Sequence, residues 1–294
     1  MHRLNAMDAL DVKVLCWNVF HGRDQPPNPA LQKRIRLSPR TRDDGAYLQV
    51  GHTLDSEFID LIARADWSIC MLQETPPRWT APLARAARAE SCRALTSRNQ
   101  LRFVTAVIAR LHPDLIGSWE GGANLTLVRP PWRIVPGSDR TLLLNTLRER
   151  RLRERRRMGF ARLVTEGERS AELCVANLHT GHPLRRQTER EVRRAAAAAV
   201  AWAGETPLVI GGDFNVRPRA SKIFDPLETE HGLRPVTSPD AIDHVLVRGL
   251  DVVTPPAPWP AERRELELPF EGGTRRVRLS DHAPVEAVFR IPPS

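Results

Sequence analysis

Six short segments set a carboxylate, an amide or an imidazole beside an apolar run: Asn18 in CWNVFHG, Glu74 in MLQET, Asn177 and His179 in VANLHTGH, Asp213 and Asn215 in VIGGDFNVRP, Asp243 in AIDHVLV, and Asp281 with His282 in LSDHAPV. Ions and amides are costly to bury unless they are paired or bound to metal, so these placements imply one shared polar site at one edge of the sheets. Carboxylate and amide oxygens are hard donors suited to Mg²⁺ or Mn²⁺. A zinc site would ask for more His or Cys at short spacing, and neither HExxH nor CxxC occurs. Oxygen donors beside two histidines point to phosphoryl chemistry, in which a metal neutralises the phosphate and a His–Asp pair activates water.

Taken singly, each residue also has a blander reading. Asn18 and Asn177 could be turn residues after strands, Glu74 an exposed loop acid before Thr75-Pro76-Pro77, and Asp213 a turn cap after Gly211-Gly212. His182, next to Pro183, reads as structural. His244 alternates to the face opposite Asp243 and is left out of the site, while His21 and Asp24 receive no role beyond a rim contact.

The elements that position these residues follow from periodicity. Val12 to Phe20 is a near-continuous apolar run, as expected for a strand covered on both faces, and Trp67 to Leu72 reads the same way. Tyr47, Val50, Leu54, Phe58 and Leu61 recur at helical spacing, so a helix is expected to end near Ala65, with a short one from Pro82 to Ala89. Arg102 to Ala109, Asn124 to Val128 and Thr141 to Leu147 are expected strands, and Met158 to Thr165 with Ala171 to Leu178 a hairpin. Leu184, Thr188, Val192, Ala195, Ala199 and Trp202 mark one face of a long helix from about Pro183 to Ala203. Strands follow at Pro207 to Ile210, Ile242 to Val247 and Ala283 to Phe289, and the Pro-rich stretch Thr254 to Pro260 reads as a surface loop. No repeat or Gly/Ser linker divides the 294 residues, so a single domain with a core of about 12–290 is expected, most economically as two packed sheets flanked by helices.

Composition excludes other classes. With 41% hydrophobic and 27% charged residues and no apolar stretch of roughly 18 residues, neither a disordered nor a membrane-spanning chain fits. Cys16, Cys70, Cys92 and Cys174 lie far apart, three of them in apolar runs, which argues against a disulfide framework and makes the reducing cytoplasm the expected compartment. The net charge is +9, and only Lys13, Lys33 and Lys222 are lysines among the 44 basic residues, a skew that suggests codon bias. Arg148 to Arg157 nevertheless holds seven Arg against two Glu, and Arg185 to Arg194 five against two. These are either solvated faces or a surface that attracts a polyanion through its phosphates.

Together GGDFN (Gly211 to Asn215), SDHAPV (Ser280 to Val285), LQE with Glu74, CWN and NLH resemble the endonuclease/exonuclease/phosphatase superfamily, which includes DNase I-like and exonuclease III-like nucleases, inositol polyphosphate 5-phosphatases and sphingomyelinases. The resemblance spans Val14 to Phe289. It implies a four-layer α/β sandwich, two facing mixed β-sheets flanked by helices, and a divalent-cation-dependent hydrolase of phosphoester bonds. Carried over by position, it makes Glu74 the main metal ligand, with Asn18 lining that site and Asp281 binding a second ion. Asp213 and Asn215 match the pair that orients the attacking water and holds the phosphate. His282 resembles the general base and Asp243 its partner. His179 matches the histidine that contacts the scissile phosphate or protonates the leaving oxygen, and Asn177 braces the cluster beside the substrate. Arg185 and Arg186 are assigned to the substrate.

The chain departs from the family pattern in GGANLTLVRP, where Ala and Asn stand in reverse order, leaving Asn124 without a firm role, and in having Tyr47 as its only tyrosine, which argues against the abasic-site subgroup. No acidic partner for His179 is evident. The expected activity is a Mg²⁺- or Mn²⁺-dependent phosphodiesterase on DNA or RNA. The alternatives are a phosphatase or phospholipase for small phosphates, inositol phosphates or lipid headgroups, with Trp259 as a candidate anchor, and a non-catalytic binding protein on the same fold.

Overall fold

The computed structural model describes residues 10–32, 41–96, 122–146, 155–165, 170–181 and 184–292. In chain order the first elements are β1 (Leu10–Asn18), β2 (Arg42–Asp43), β3 (Leu48–Gln49), α1 (Asp55–Arg64), β4 (Ile69–Thr75), α2 (Thr80–Ala87), β5 (Glu90–Leu95) and β6 (Ala123–Val128). Next come β7 (Trp132–Ile134), β8 (Arg140–Leu143), β9 (Arg157–Thr165), β10 (Glu172–His179), α3 (Arg185–Ala203), β11 (Leu208–Asp213) and α4 (Phe224–Thr229). The last are β12 (Asp243–Arg248), β13 (Asp251–Pro258), β14 (Glu265–Phe270), β15 (Gly273–Arg278) and β16 (Val285–Ile291).

One sheet has the order β13-β16-β1-β4-β6-β5 and the other β12-β11-β10-β9-β7, with β8 also on β9. Alternation along the strands divides the core into three slabs. Val14 and Cys16 of β1 meet Val175 and Val209 between the sheets. Leu15 and Trp17 face Phe58 and Ile62 of α1. Ile210 and Cys174 face Val192, Ala195 and Ala199 of α3. The result is helix, sheet, sheet, helix, the four-layer sandwich expected. At Gly211 a Cβ would stand 2.2 Å from the Met71 methyl, so a larger residue there would require the Met71 side chain to move.

Strand direction gathers the polar ends. The pairs β1/β4 and β10/β11 are parallel, so Asn18, Glu74, His179 and Asp213 finish at one edge. The strands β12 and β16 run antiparallel to their neighbours and start at that same edge, which brings in Asp243 opposite Asp213 and sets His282 just ahead of β16.

Most expected elements are present, with three corrections. The first helix starts only at Asp55: Leu48–Gln49 is a short strand on Arg42–Asp43, and the Val50 N–H bonds to Asp24. The Pro-rich stretch is not a loop but most of edge strand β13, where the missing proline donors face no neighbour. Trp259 is not an exposed anchor; it is 6% exposed and its indole donates to Glu286. The strands β5, β7, β14 and β15 were not anticipated. The expected strand Arg102 to Ala109, the turn at 166–169, His182 and most of the arginine run at 148–157 lie outside the described residues. No helix among the described residues is long and apolar enough to cross a membrane.

Candidate active site

The register at the strand ends is built around Asp213, which is 2% exposed. Its Oδ1 accepts the Asn215 N–H at 2.9 Å and its Oδ2 the Asn18 side-chain N–H at 3.1 Å, while Asn215 in turn donates to the Thr180 carbonyl. Burial, with Asp243 adding to it, raises the Asp213 carboxyl to about 7 against the opposing charge of His282.

His282 Nδ1 lies 2.7 Å from Asp243 Oδ2, and its Nε2 lies 3.9 Å from Asp213 and 3.8 Å from Asp281. A carboxylate can only accept, so Nδ1 carries the proton and Nε2 faces the site. Burial alone would depress this ring, but the charges of Asp243, Asp213 and Asp281 outweigh it and hold it up at about 10. Asp281 is pushed upward by burial, with Glu74 acting in the same direction.

Glu74 stands at an irregularity in the β4/β6 pairing, with φ of 51° turning its carboxylate off the strand. Its oxygens lie 3.3 Å from His21 Nε2 and 3.8 Å from His179 Nε2. Burial works against its charge, yet His21, His179, Arg156 and Arg23 together bring it down to about 2. His179, at the end of β10, sits 3.4 Å from Asp213, and Arg156 Nη1 lies 2.9 and 3.0 Å from its two ring nitrogens. Burial, and next the Arg156 charge, lower the His179 ring well below its ordinary value. His179 is therefore a neutral imidazole beside a fixed cation.

Glu74, Asn18, Asp213, Asn215, Asp243, His179, Asp281 and His282 thus come together. Asn177 lies among them but braces them rather than facing substrate: its Nδ2 bonds to the Leu72 and Leu125 carbonyls and its Oδ1 accepts from Gln73, linking the two sheets. Asn124 does similar work, donating to the Arg157 and Asn177 carbonyls. Arg185 and Arg186 are exposed in the first turn of α3, and Arg185 is engaged with Glu189, outside this cluster. His244 is buried, with one ring nitrogen accepting the Thr237 N–H and the other at the Val216 carbonyl, so it belongs to the core.

Sequence reasoning missed two members. His21, set aside as a rim residue, is 7% exposed against Glu74, and Arg156 was submerged in a run of arginines. A different signal marks the region. Of seven non-glycine residues with positive φ among those described, Phe20, His21, Glu74, Asn215 and Ser280 all border this cluster. Such conformations cost about 1–3 kcal/mol each and persist where surrounding bonds over-determine them.

The donor set fits a divalent cation. One donor atom each from Asp213, Asp243 and His282 lie within 4.8 Å of one another, and Asp243 Oδ1 is buried with no hydrogen-bond partner. Carboxylates this close are poorly compatible unless a cation or proton lies between them.

The sequence model of the endonuclease/exonuclease/phosphatase family matches residues 15–282. No curated protein matches the sequence. Among solved structures, an endonuclease/exonuclease/phosphatase family protein from Bacteroides thetaiotaomicron is similar with a TM-score of 0.65 at 14% identity, over 97% of this chain and 99% of that one. A mannosyl-6-phosphatase from the same organism gives 0.63 at 13% identity, over 95% and 99%. The human Nocturnin catalytic domain with bound sulfate gives 0.56 at 14% identity, over 96% and 95%.

Proposed function

The chain belongs to the endonuclease/exonuclease/phosphatase family of phosphoester hydrolases, and from that premise we propose that it is a Mg²⁺- or Mn²⁺-dependent phosphodiesterase acting on DNA or RNA. The observation that carries the reading is the His282–Asp243 pair directed at Asp213, opposite Glu74, His179 and Arg156.

Glu74, Asp213, Asp243 and Asp281 supply the oxygens for a cation, and Asn18 lines the same edge. A divalent ion held there would supply positive charge against the phosphate oxygens. His282 Nε2, in its unprotonated form, takes a proton from water as the water oxygen bonds to phosphorus. Asp243 stabilises the imidazolium that forms. Asp213 and Asn215 orient the water, and the Arg156 guanidinium with the neutral His179 ring receives charge on the phosphate as the ester P–O bond breaks.

The polynucleotide reading draws on α3. Its N-terminus follows Thr180 and Gly181 directly behind the site, and Arg185, Arg186, Arg190, Arg193 and Arg194 all lie on its exposed face. That is a path for successive phosphates. Arg156 also suits the second negative charge of a phosphate monoester, so phosphatase action on small phosphates is the second reading.

Both are tested by incubating the protein with plasmid DNA, RNA, bis(p-nitrophenyl) phosphate and p-nitrophenyl phosphate, with Mg²⁺, Mn²⁺ or EDTA, beside His282→Ala. EDTA-sensitive cleavage of nucleic acid supports the first reading. Turnover of monoesters alone selects the second, and no turnover of any substrate across the metals rejects both. Changing Arg190, Arg193 and Arg194 together to Glu should weaken nucleic-acid binding and flatten its salt dependence while leaving bis(p-nitrophenyl) phosphate hydrolysis unchanged.

A further inference from the structure

Residues 279–282 carry two of the site's polar groups, and their backbone is held in an uncommon shape. Ser280 has φ of 59°, a left-handed conformation that side-chain-bearing residues rarely adopt. Its hydroxyl donates to the Asn18 carbonyl at 2.7 Å and accepts the His282 N–H at 3.0 Å, while the Trp17 indole donates to the His282 carbonyl at 2.9 Å.

The Leu279 and Ser280 carbonyls of this turn are held by Arg264. It lies in the short 3-10 turn Ala261–Arg264 between β13 and β14 and is 9% exposed. Its Nη1 donates to the Leu279 carbonyl at 2.8 Å and to the Ser280 carbonyl at 2.6 Å, and its own carbonyl accepts the Leu279 N–H at 3.0 Å. Its Nε has no partner, and no carboxylate among the described residues forms an ion pair with it.

Glu265 and Asp281 act on this guanidinium only at a distance, and a buried guanidinium with no direct ion pair is an expensive way to fill space, because an apolar side chain of similar volume avoids the desolvation. What the guanidinium supplies and an apolar side chain cannot is a rigid fork that draws two successive carbonyls to one nitrogen. Those carbonyls flank the left-handed residue. Were Ser280 to relax to an extended φ, the His282 N–H would leave the Ser280 hydroxyl and the ring would leave Asp243.

We infer that Arg264 is a positioning residue of the hydrolytic site, fixing the left-handed turn at Ser280 so that Asp281 and His282 face Asp213; the inference rests on the hydrolase reading above. Arg264 acts through His282 and touches no substrate. Most of its contribution therefore depends on His282 being present.

The test is a double-mutant cycle in the full chain with bis(p-nitrophenyl) phosphate and Mn²⁺. Arg264→Lys, which keeps the charge and loses the fork, should lower kcat about 10- to 100-fold with KM changed less than about threefold, as for a catalytic group moved by a fraction of an ångström. Added to His282→Ala, it should cause a much smaller further loss than in the wild type, limited to what moving Asp281 costs. Amide exchange in a peptide covering 279–284 should quicken, with that over Leu208–Asp213 unchanged. A kcat within twofold of wild type, additivity with His282→Ala, or unchanged exchange in the turn overturns the inference. If Arg264→Lys does not melt cooperatively, Arg264→Gln takes its place. Loss of cooperative melting in both also overturns it, since Arg264 would then support the whole domain. A wild-type protein that does not turn over the diester sinks the hydrolase reading instead, and the exchange measurement still decides whether Arg264 holds the turn.

Discussion

His282 Nδ1 and Asp243 Oδ2 are 2.7 Å apart, joining the segment before β16 in one sheet to the first residue of β12 in the other. The bond sets the tautomer of the His282 ring and ties it to the Asp213–Asp243 pair of β11 and β12.

Breaking that contact should cost turnover and little stability. His282→Ala and Asp243→Asn are each expected to lower kcat by roughly 10³- to 10⁴-fold, the loss typical when a general base or its orienting carboxylate is removed. Steady-state kinetics beside thermal melts checks this. A variant with a wild-type melt and less than tenfold loss would remove the pair from the reaction.

Proton release should accompany metal binding. In the metal-free site His282 is raised to about 10 by its carboxylate neighbours, and Asp213 to about 7 by burial, so both hold protons that a cation competes for. At pH 7 to 8, Mn²⁺ binding should release roughly one proton per ion. Calorimetry in two buffers of different ionisation enthalpy reads this directly, and identical heats in both would contradict it.

Arg156 should matter more than its neighbours in the arginine run. Its backbone is held by Asn145 and Leu144, and its guanidinium lies against His179. Arg156→Ala should reduce kcat/KM by about 10²- to 10³-fold, as for loss of one donor to a developing oxyanion, with partial recovery in Arg156→Lys. The exposed Arg193 and Arg194 serve as controls on a small diester. Equal, small effects at all three positions would return Arg156 to the solvated surface.

His244 should set part of the acid sensitivity. Burial depresses its ring to about 4, so it is neutral in the folded protein. The unfolded chain binds this proton below about 6.5, hence the stability it contributes is complete above that pH and is lost as pH falls toward 4. The drop corresponds to about 3 kcal/mol. Asp213 acts with the opposite sign in an overlapping window, and His282 is fully protonated throughout it. The difference between wild type and His244→Phe isolates the histidine. Urea unfolding of metal-free protein at several pH values between 4 and 7 should show a steeper fall in wild type, and parallel curves would refute the assignment.

Much of the site was readable because polarity at the end of an apolar strand has few structural explanations: Asp213 after Leu208–Gly212 and His282 before β16 each had to find partners. The long helix α3 was equally plain, since Thr188, Val192, Ala195 and Ala199 fall on one face and all are buried. Tyr47 and Val50 misled because their spacing matches a helix, whereas the Leu48–Gln49 pair between them is strand-paired with Arg42–Asp43 and the Val50 N–H bonds to Asp24, which no local pattern records. Pro255 and Pro256 misled for the converse reason, that edge strand β13 tolerates residues an inner strand would not. His21 reaches Glu74 only because the chain after β1 turns through two left-handed residues, and Arg156 only because β8 and β9 pair, so neither was visible in spacing.

The oxygens proposed to hold a cation are divided between the two sheets: Asn18 and Glu74 ride on β1 and β4, Asp213 and Asp243 on β11 and β12. Between them lies an apolar interface, and the directional bonds described across it, from Asn177, Asn124, Asn18 and His282, come from side chains set among its strands and at this edge. An ion that engaged oxygens from both halves would add a further rivet through the sandwich. Its removal would loosen the sliding of the layers before either sheet comes apart, and the chemistry would be the first thing to register it.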